Sequence, residues 1–123
     1  MPLRWSDSKR STERRKPVPA AVRGEIWQID FGLAAKVRPA LVYSVPFLDS
    51  ERALYAVIPH TTAVRRTRFE VPCPVPGFPN GAFDVQNLGS ISQARLLRRI
   101  GRLVPEQLGR IDQVVRFWLG LSS

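Results

Sequence analysis

From Arg23 to about residue 104 the apolar runs are short, rich in Val, Ile, Phe, Trp and Tyr, and broken repeatedly by Gly, Pro and Asp. A chain with this rhythm cannot supply a helical bundle; it reads as a small, mostly antiparallel β-barrel or sandwich. Strands are expected near Glu25–Phe31, Ala40–Val45, Ala53–Ile58, Arg68–Val71, Ala82–Leu88 and Arg99–Leu103, with a turn at Asp49–Ser50 between the second and third. The segment PCPVPGFPNG (Pro72 to Gly81) holds too many prolines for a central strand and is expected as a loop closed by the Asn80–Gly81 turn signal.

Near the C-terminus the period changes. Leu108, Ile111, Val115 and Trp118 recur at helical spacing, Pro105 suits a first turn, Glu106 sits near the positive helix end, and Gly120 marks the stop. A shorter helical turn, SQARLLRR, is expected with Ser92 as its N-cap. With 123 residues and no internal repeat, the chain makes one core: a barrel with a terminal helix packed on it.

The net charge of +9 favours a polyanion or acidic partner, and it is unevenly placed. Residues 1–22 are polar, basic and end in a Pro/Ala stretch, so they read as a flexible basic arm before a domain spanning 23–123; they lack the apolar region of a signal peptide. Arginine greatly outnumbers lysine, which favours bidentate phosphate contacts. The single cysteine, Cys73, excludes an internal disulfide, and one His with one Cys cannot build a protein-only zinc site. No apolar run has membrane length. The expectation is a cytoplasmic protein with no metal and no cofactor.

Two segments carry candidate chemistry. RGEIWQIDFGLAAKVRPALVYSV (Arg23 to Val45) presents Arg38 at the mouth of a buried strand, where a phosphate could be held. IPHTTAVRRTRFEV (Ile58 to Val71) brings His60, Thr61 and Thr62 to another strand's end, followed by Arg65, Arg66 and Arg68. A threonine hydroxyl at a strand terminus can donate to the same phosphate, His60 is the one side chain titrating near neutrality and so a candidate proton shuttle, and the three arginines suit a nucleic-acid backbone. Each has a plainer reading: a surface arginine covering a strand end, a β-forming threonine, an incidental histidine, a solvated basic loop. Glu25 and Asp30 are secondary proton acceptors, and pairing of Arg23 with Glu25 is the plainer use of those two residues. Arg95, Arg98, Arg99 and Arg102 form a second basic cluster. Phe78, Phe83 and Trp27 are candidates for stacking on exposed bases, although Trp27 lies inside an expected strand.

In order and spacing, RGEIWQIDF (Arg23 to Phe31), RPALV (Arg38 to Val42), IPHTT followed by RFEV, and LLRRIGRLVPEQLGRIDQVVRFWLGL (Leu96 to Leu121) together resemble the MazF/PemK (Kid) toxins of type II toxin–antitoxin systems. The resemblance implies an SH3-like small barrel of the MazF/PemK/CcdB type and a homodimer. It implies a metal-independent endoribonuclease (an mRNA interferase) that cuts single-stranded RNA at short sequences and is neutralised by a cognate antitoxin. Such enzymes use the 2′-hydroxyl as nucleophile, leaving 2′,3′-cyclic phosphate and 5′-hydroxyl ends. The family's active arginine and threonine fall on Arg38 and Thr61. Arg23, Arg65, Arg66, Arg68 and Gln86 complete the expected RNA-binding set, with Gln86–Asn87 standing where many members carry an Asp-Gln pair. The first loop, Gly32 to Val37, is shorter than in longer members and has no acid, so a family glutamate linked to proton transfer has no counterpart.

That shortened loop supports a rival reading, a non-catalytic barrel that binds nucleic acid or a protein partner and acts as a regulator. The two readings differ on whether RNA is broken or only bound.

Overall fold

The computed structural model describes residues 20–32 and 36–121; most of the basic arm lies outside them. Seven strands, β1 (Glu25–Asp30), β2 (Val37–Val42), β3 (Leu54–Thr61), β4 (Glu70–Pro72), β5 (Ala82–Asp84), β6 (Gly89–Ser92) and β7 (Leu96–Arg102), precede one helix, α1 (Pro105–Leu119). All described pairings are antiparallel, in the order β4-β5-β3-β2-β1-β7, with β6 on β3. The ladder does not close on itself, and the result is a small, partly open barrel with a C-terminal helix.

Strands β1 to β3 alternate their side chains between two cores. On one face Ile26, Leu41, Ile58, Phe83 and Val85 pack with Ile111 and Val115 of α1. On the other Trp27, Ile29, Ala40, Val42, Tyr55 and Val57 pack with Ala21, and Phe47 and Ile91 lie against them. Ala21 is buried and its carbonyl accepts from the Tyr55 hydroxyl at 3.0 Å, so the folded unit takes in the end of the Pro/Ala stretch. The helix follows the expected stripe: Ile111 and Val115 are buried, with Leu108 and Trp118 packed beside them. It stops at Gly120, whose φ of 72° lets the Leu121 amide reach the Arg116 carbonyl and the Gly120 amide reach that of Phe117.

Several expected boundaries move. The second strand is Val37–Val42 rather than Ala40–Val45, so Arg38 lies inside it; Val45 is exposed. The Asp49–Ser50 turn is present, closed by the Glu51 amide on the Leu48 carbonyl at 2.9 Å. The expected Ala82–Leu88 strand is interrupted by a 3₁₀ turn at Val85–Asn87 that separates β5 from β6. Ser92 does cap a turn, accepting from the Ala94 amide at 3.3 Å, but only Gln93–Arg95 is helical; from Leu96 the backbone pairs with β1 as β7 instead of continuing a helix. The proline segment turns at Pro76–Gly77 and not at Asn80–Gly81. The Phe78 amide bonds the Val75 carbonyl at 3.0 Å and Gly77 has φ 84°, the geometry that demands Pro then Gly at the two central positions of a type II turn.

Candidate active site

The site begins with two prolines. Hydrogen bonds from Gly24 to Val42 and from Tyr43 to Ala56 fix which way the β2 amides point; by strand alternation, the amide of residue 39 would face His60 on β3. Pro39 has none. The β2–β3 ladder accordingly runs Val42↔Val57, Leu41↔Ile58, Ala40↔Pro59 and stops. On its other edge β3 passes from β6, last paired at Val57↔Gly89, to β5, first paired at His60↔Phe83; Pro59, which also lacks an amide, falls at that change of partner. Beyond Pro59 the ends of β2 and β3 part, and the wedge between them is a cleft of about 230 Å³ lined by Arg38, Pro39, His60, Thr61, Thr62, Ala63 and Phe78.

Carrying the same register forward sets Arg38 opposite Thr61 across this wedge. Arg38 is half-buried, with its guanidinium carbon 5.8 Å from the centroid of the Phe31 ring, and among the described residues no carboxylate pairs with it. Thr61 Oγ1 accepts from the Ala63 amide at 3.0 Å, which fixes the oxygen and leaves the hydroxyl proton available to donate. One cation and one hydroxyl donor therefore face the same opening, an arrangement suited to a phosphate-like anion.

His60 is placed differently from a solvent-facing proton shuttle. It is 3% exposed, its ring stacks edge-on against Phe83 at 5.0 Å, and its Nε2 lies 2.9 Å from the Cys73 carbonyl. A carbonyl only accepts, so Nε2 carries the proton. Burial holds the imidazole pKa below 6.5, with the Cys73 bond opposing that shift only in part. Gly81 makes the close approach possible: a Cβ there would collide with the Thr61 carbonyl oxygen and come within 2.7 Å of His60 Cε1.

The other sequence candidates disperse. Arg23 Nη2 alone donates to both carboxylate oxygens of Asp112 of α1, at 2.7 and 2.9 Å, and the guanidinium stacks over Tyr43. The Tyr43 hydroxyl donates to the same carboxylate at 2.6 Å; burial and then that bond push its pKa up to about 12. Arg23 and Glu25 do not pair with each other. Glu25, 4% exposed, accepts from the Val22 amide and Trp27 Nε1, and from Arg99 and Arg102 across the β1–β7 seam. Burial alone would raise its pKa, and the Trp27, Val22 and Arg99 contacts outweigh it, leaving the group below the ordinary carboxylate range. Asp30 takes the Gly32 amide at 2.8 Å and lies 3.9 Å from Arg95.

Arg65, Arg66, Arg68 and Gln86 do not line the cleft. The loop bearing the first two is folded around Glu70, whose carboxylate accepts from the Arg65 and Thr67 amides; these bonds, that of Thr67 above all, lower its pKa. Arg66 adopts φ 60° to make the turn. Arg68 lies 4.7 Å from the rings of both Phe69 and Phe117, against the end of α1. Gln86 is exposed in the Val85–Asn87 turn. Of the three aromatics offered for stacking, Trp27 and Phe83 are core residues and Phe78 alone reaches the cleft. Among the described residues no group of three His, Cys, Asp or Glu side chains is placed to hold a metal ion, and no helix is long and apolar enough to cross a membrane.

Residues 22–119 match the family described as PemK-like, MazF-like toxin of type II toxin-antitoxin system. Solved structures agree. An endoribonuclease in complex with its cognate antitoxin from a Mycobacterial species superposes with TM-score 0.71 at 21% identity, over 85% of this chain and 99% of that one. The MazE-MazF complex (Form-II) from Deinococcus radiodurans gives 0.72 at 21%, over 85% and 100%. The Mycobacterium tuberculosis toxin MazF-mt6 gives 0.70 at 25%, over 80% and 99%.

Proposed function

The chain belongs to the PemK-like, MazF-like toxin family of type II toxin–antitoxin systems, and from that premise we propose that it is a metal-independent, sequence-selective endoribonuclease of single-stranded mRNA. It acts in the cytoplasm as a homodimer and is silenced by a cognate antitoxin. The observation that carries the reading is the meeting of Arg38, unpaired among the described residues, with the Thr61 hydroxyl in the wedge that Pro39 opens. A similar structure described as an endoribonuclease in complex with its cognate antitoxin, and another described as MazE-MazF, support the partner.

In the proposed reaction the 2′-hydroxyl oxygen attacks the adjacent phosphorus and the bond to the 5′-oxygen breaks. Solvent water takes the proton from the 2′-oxygen and returns one to the departing 5′-oxygen, giving a 2′,3′-cyclic phosphate and a 5′-hydroxyl. Negative charge builds on the non-bridging oxygens at the five-coordinate stage. Arg38 answers that charge and the Thr61 hydroxyl donates to the same group; a fixed donor of this kind is worth about 3–4 kcal/mol in the transition state. Arg65 and Arg66 track the backbone from outside the cleft. Arg23 and Arg68 act in structure, since Arg23 is committed to Asp112 and Arg68 to two aromatic rings. His60 joins the cleft wall to the Cys73 loop through its protonated Nε2, and burial favours the neutral ring.

The deciding experiment incubates the purified protein with a long unstructured RNA in EDTA and maps both ends of every fragment, with Arg38→Ala alongside. The expected outcome is discrete fragments with cyclic phosphate and 5′-hydroxyl ends, lost in the variant. RNA bound but left intact would replace the nuclease with the non-catalytic regulator.

A further inference from the structure

The apolar part of the cleft lining is not explained by phosphate chemistry. Pro39, Ala63 and Phe78 give the cleft apolar lining beside the polar Arg38, His60, Thr61 and Thr62. A bare phosphate needs no aromatic neighbour; a nucleotide does, because its base offers a flat π-face beside a charged backbone. The volume, about 230 Å³, is below the roughly 300–1,000 Å³ of clefts that take drug-sized ligands, which suits a single base with its phosphate.

Phe78 is also held in place before anything binds. From Val71 to Pro76 the chain alternates buried Val71, Cys73 and Val75 with exposed Pro72, Pro74 and Pro76, so the inward side chains anchor the segment and the outward prolines stiffen it. The type II turn at Val75–Phe78 then fixes the exit direction. Two further bonds hold the segment: His60 Nε2–H to the Cys73 carbonyl ties it to the strand carrying Thr61, and the Cys73 amide to the Gly81 carbonyl, at 3.2 Å, ties it to the residue before β5. The ordering entropy of this arm is lost on folding, so a base meeting Phe78 does not have to supply it.

We infer that Phe78 is the stacking platform for one unpaired nucleobase adjoining the phosphate held by Arg38. The inference rests on the RNA reading above and deepens it. Stacking tolerates any base, since every base has a π-face. Phe78 therefore selects for strandedness, admitting only a nucleotide free of a pairing partner, and leaves base identity to contacts elsewhere.

The test uses the full chain with single-stranded oligonucleotides made entirely of 2′-O-methyl ribonucleotides, which cannot cleave, carrying 2-aminopurine at each position in turn. Wild type should quench the fluorescence strongly at one position. Phe78→Ala should abolish that quench and weaken binding about 5- to 150-fold, the range expected for one base–aromatic stack. Phe78→Trp should restore both. Phe78→Leu retains apolar packing on the core without a π-face; it should keep the wild-type urea midpoint and still lose the quench, which separates stacking from misfolding. An abasic site at the quenched position should erase the difference between wild type and Phe78→Ala. The inference is overturned if no position is quenched in wild type, if Phe78→Leu quenches like wild type, or if the abasic and Phe78→Ala losses simply add. Because cleavage plays no part in this readout, failure here is distinct from failure of the nuclease reading, which is decided by fragment ends and by Arg38→Ala.

Discussion

The two ends of the β1–β2 hairpin each present an arginine, and the fold uses them in opposite ways. At the open end Arg23 meets Asp112, stacks on Tyr43 and helps dock α1 on the sheet. At the turn end Arg38 meets a cleft and, among the described residues, no carboxylate. The same division runs through the basic clusters: Arg95, Arg99 and Arg102 face Asp30 or Glu25 across the β1–β7 seam. An arginine's use here is set by whether the fold has placed an acid against it, which residue type alone does not reveal.

Four variants test that division. The largest effect belongs to Arg38→Ala: RNA cutting should fall about 100- to 1,000-fold, while the free energy of urea unfolding changes by no more than about 0.5 kcal/mol, as for a surface substitution. A large stability loss there would return Arg38 to the structural class. Next, Glu25→Ala strands the Trp27 indole N–H and the Val22 amide. At about 1–3 kcal/mol for each orphaned donor, roughly 3 kcal/mol of stability should be lost in urea titration. Arg23→Ala should cost about 1.5–2 kcal/mol through the charged hydrogen bonds to Asp112, and leave the cutting rate per folded molecule unchanged; a slower rate would move Arg23 to the RNA side. Smallest is Arg65→Ala, which should lower the slope of log affinity against log salt by about 0.7 for one lost single-strand phosphate contact. An unaltered slope would show that Arg65 tracks nothing.

Acid sharpens the same contrast. His60, Glu25 and Asp112 all have folded-state pKa values lowered from 6.5, 4.5 and 3.8. For each, the unfolded chain takes up the proton first as pH falls, so the stabilisation is complete above the ordinary value and is lost on descent through the folded one. Stability should begin to decline just below pH 6.5 because of His60, then fall further in the carboxylate range. Urea midpoints of His60→Gln should stay flat from pH 7 to the carboxylate range; a decline identical to wild type would place the upper step elsewhere.

The parts of this molecule legible in the sequence are those governed by neighbours in the chain. The Leu108, Ile111, Val115, Trp118 stripe and the Gly120 stop define α1 because helix periodicity and capping are local. The RPA and PHTT segments also come to one cleft, since Pro39 ends the ladder between β2 and β3 just beyond its Ala40↔Pro59 pair. Partnerships across the fold were not legible. Asp112 is remote in sequence from Arg23, and Glu25 from Arg99, so nothing local distinguished these arginines from Arg38. The burial of His60 depends on Phe83 and Cys73 arriving from another strand and loop. The Pro-Gly order at Pro76–Gly77 is itself a turn signal, in competition with the hairpin signal at Asn80–Gly81 four residues on. Gly81 instead serves the close approach to Thr61 and His60.

Pro39 has one more consequence. Strands that part at a sheet opening ordinarily offer a row of free amides and carbonyls on which another extended chain can assemble, the route to strand addition and aggregation. Here the β2 edge facing the opening is blank at its middle position, because residue 39 has no hydrogen to give. The opening is thereby guarded against being zipped shut by a stray peptide, its own or a neighbour's.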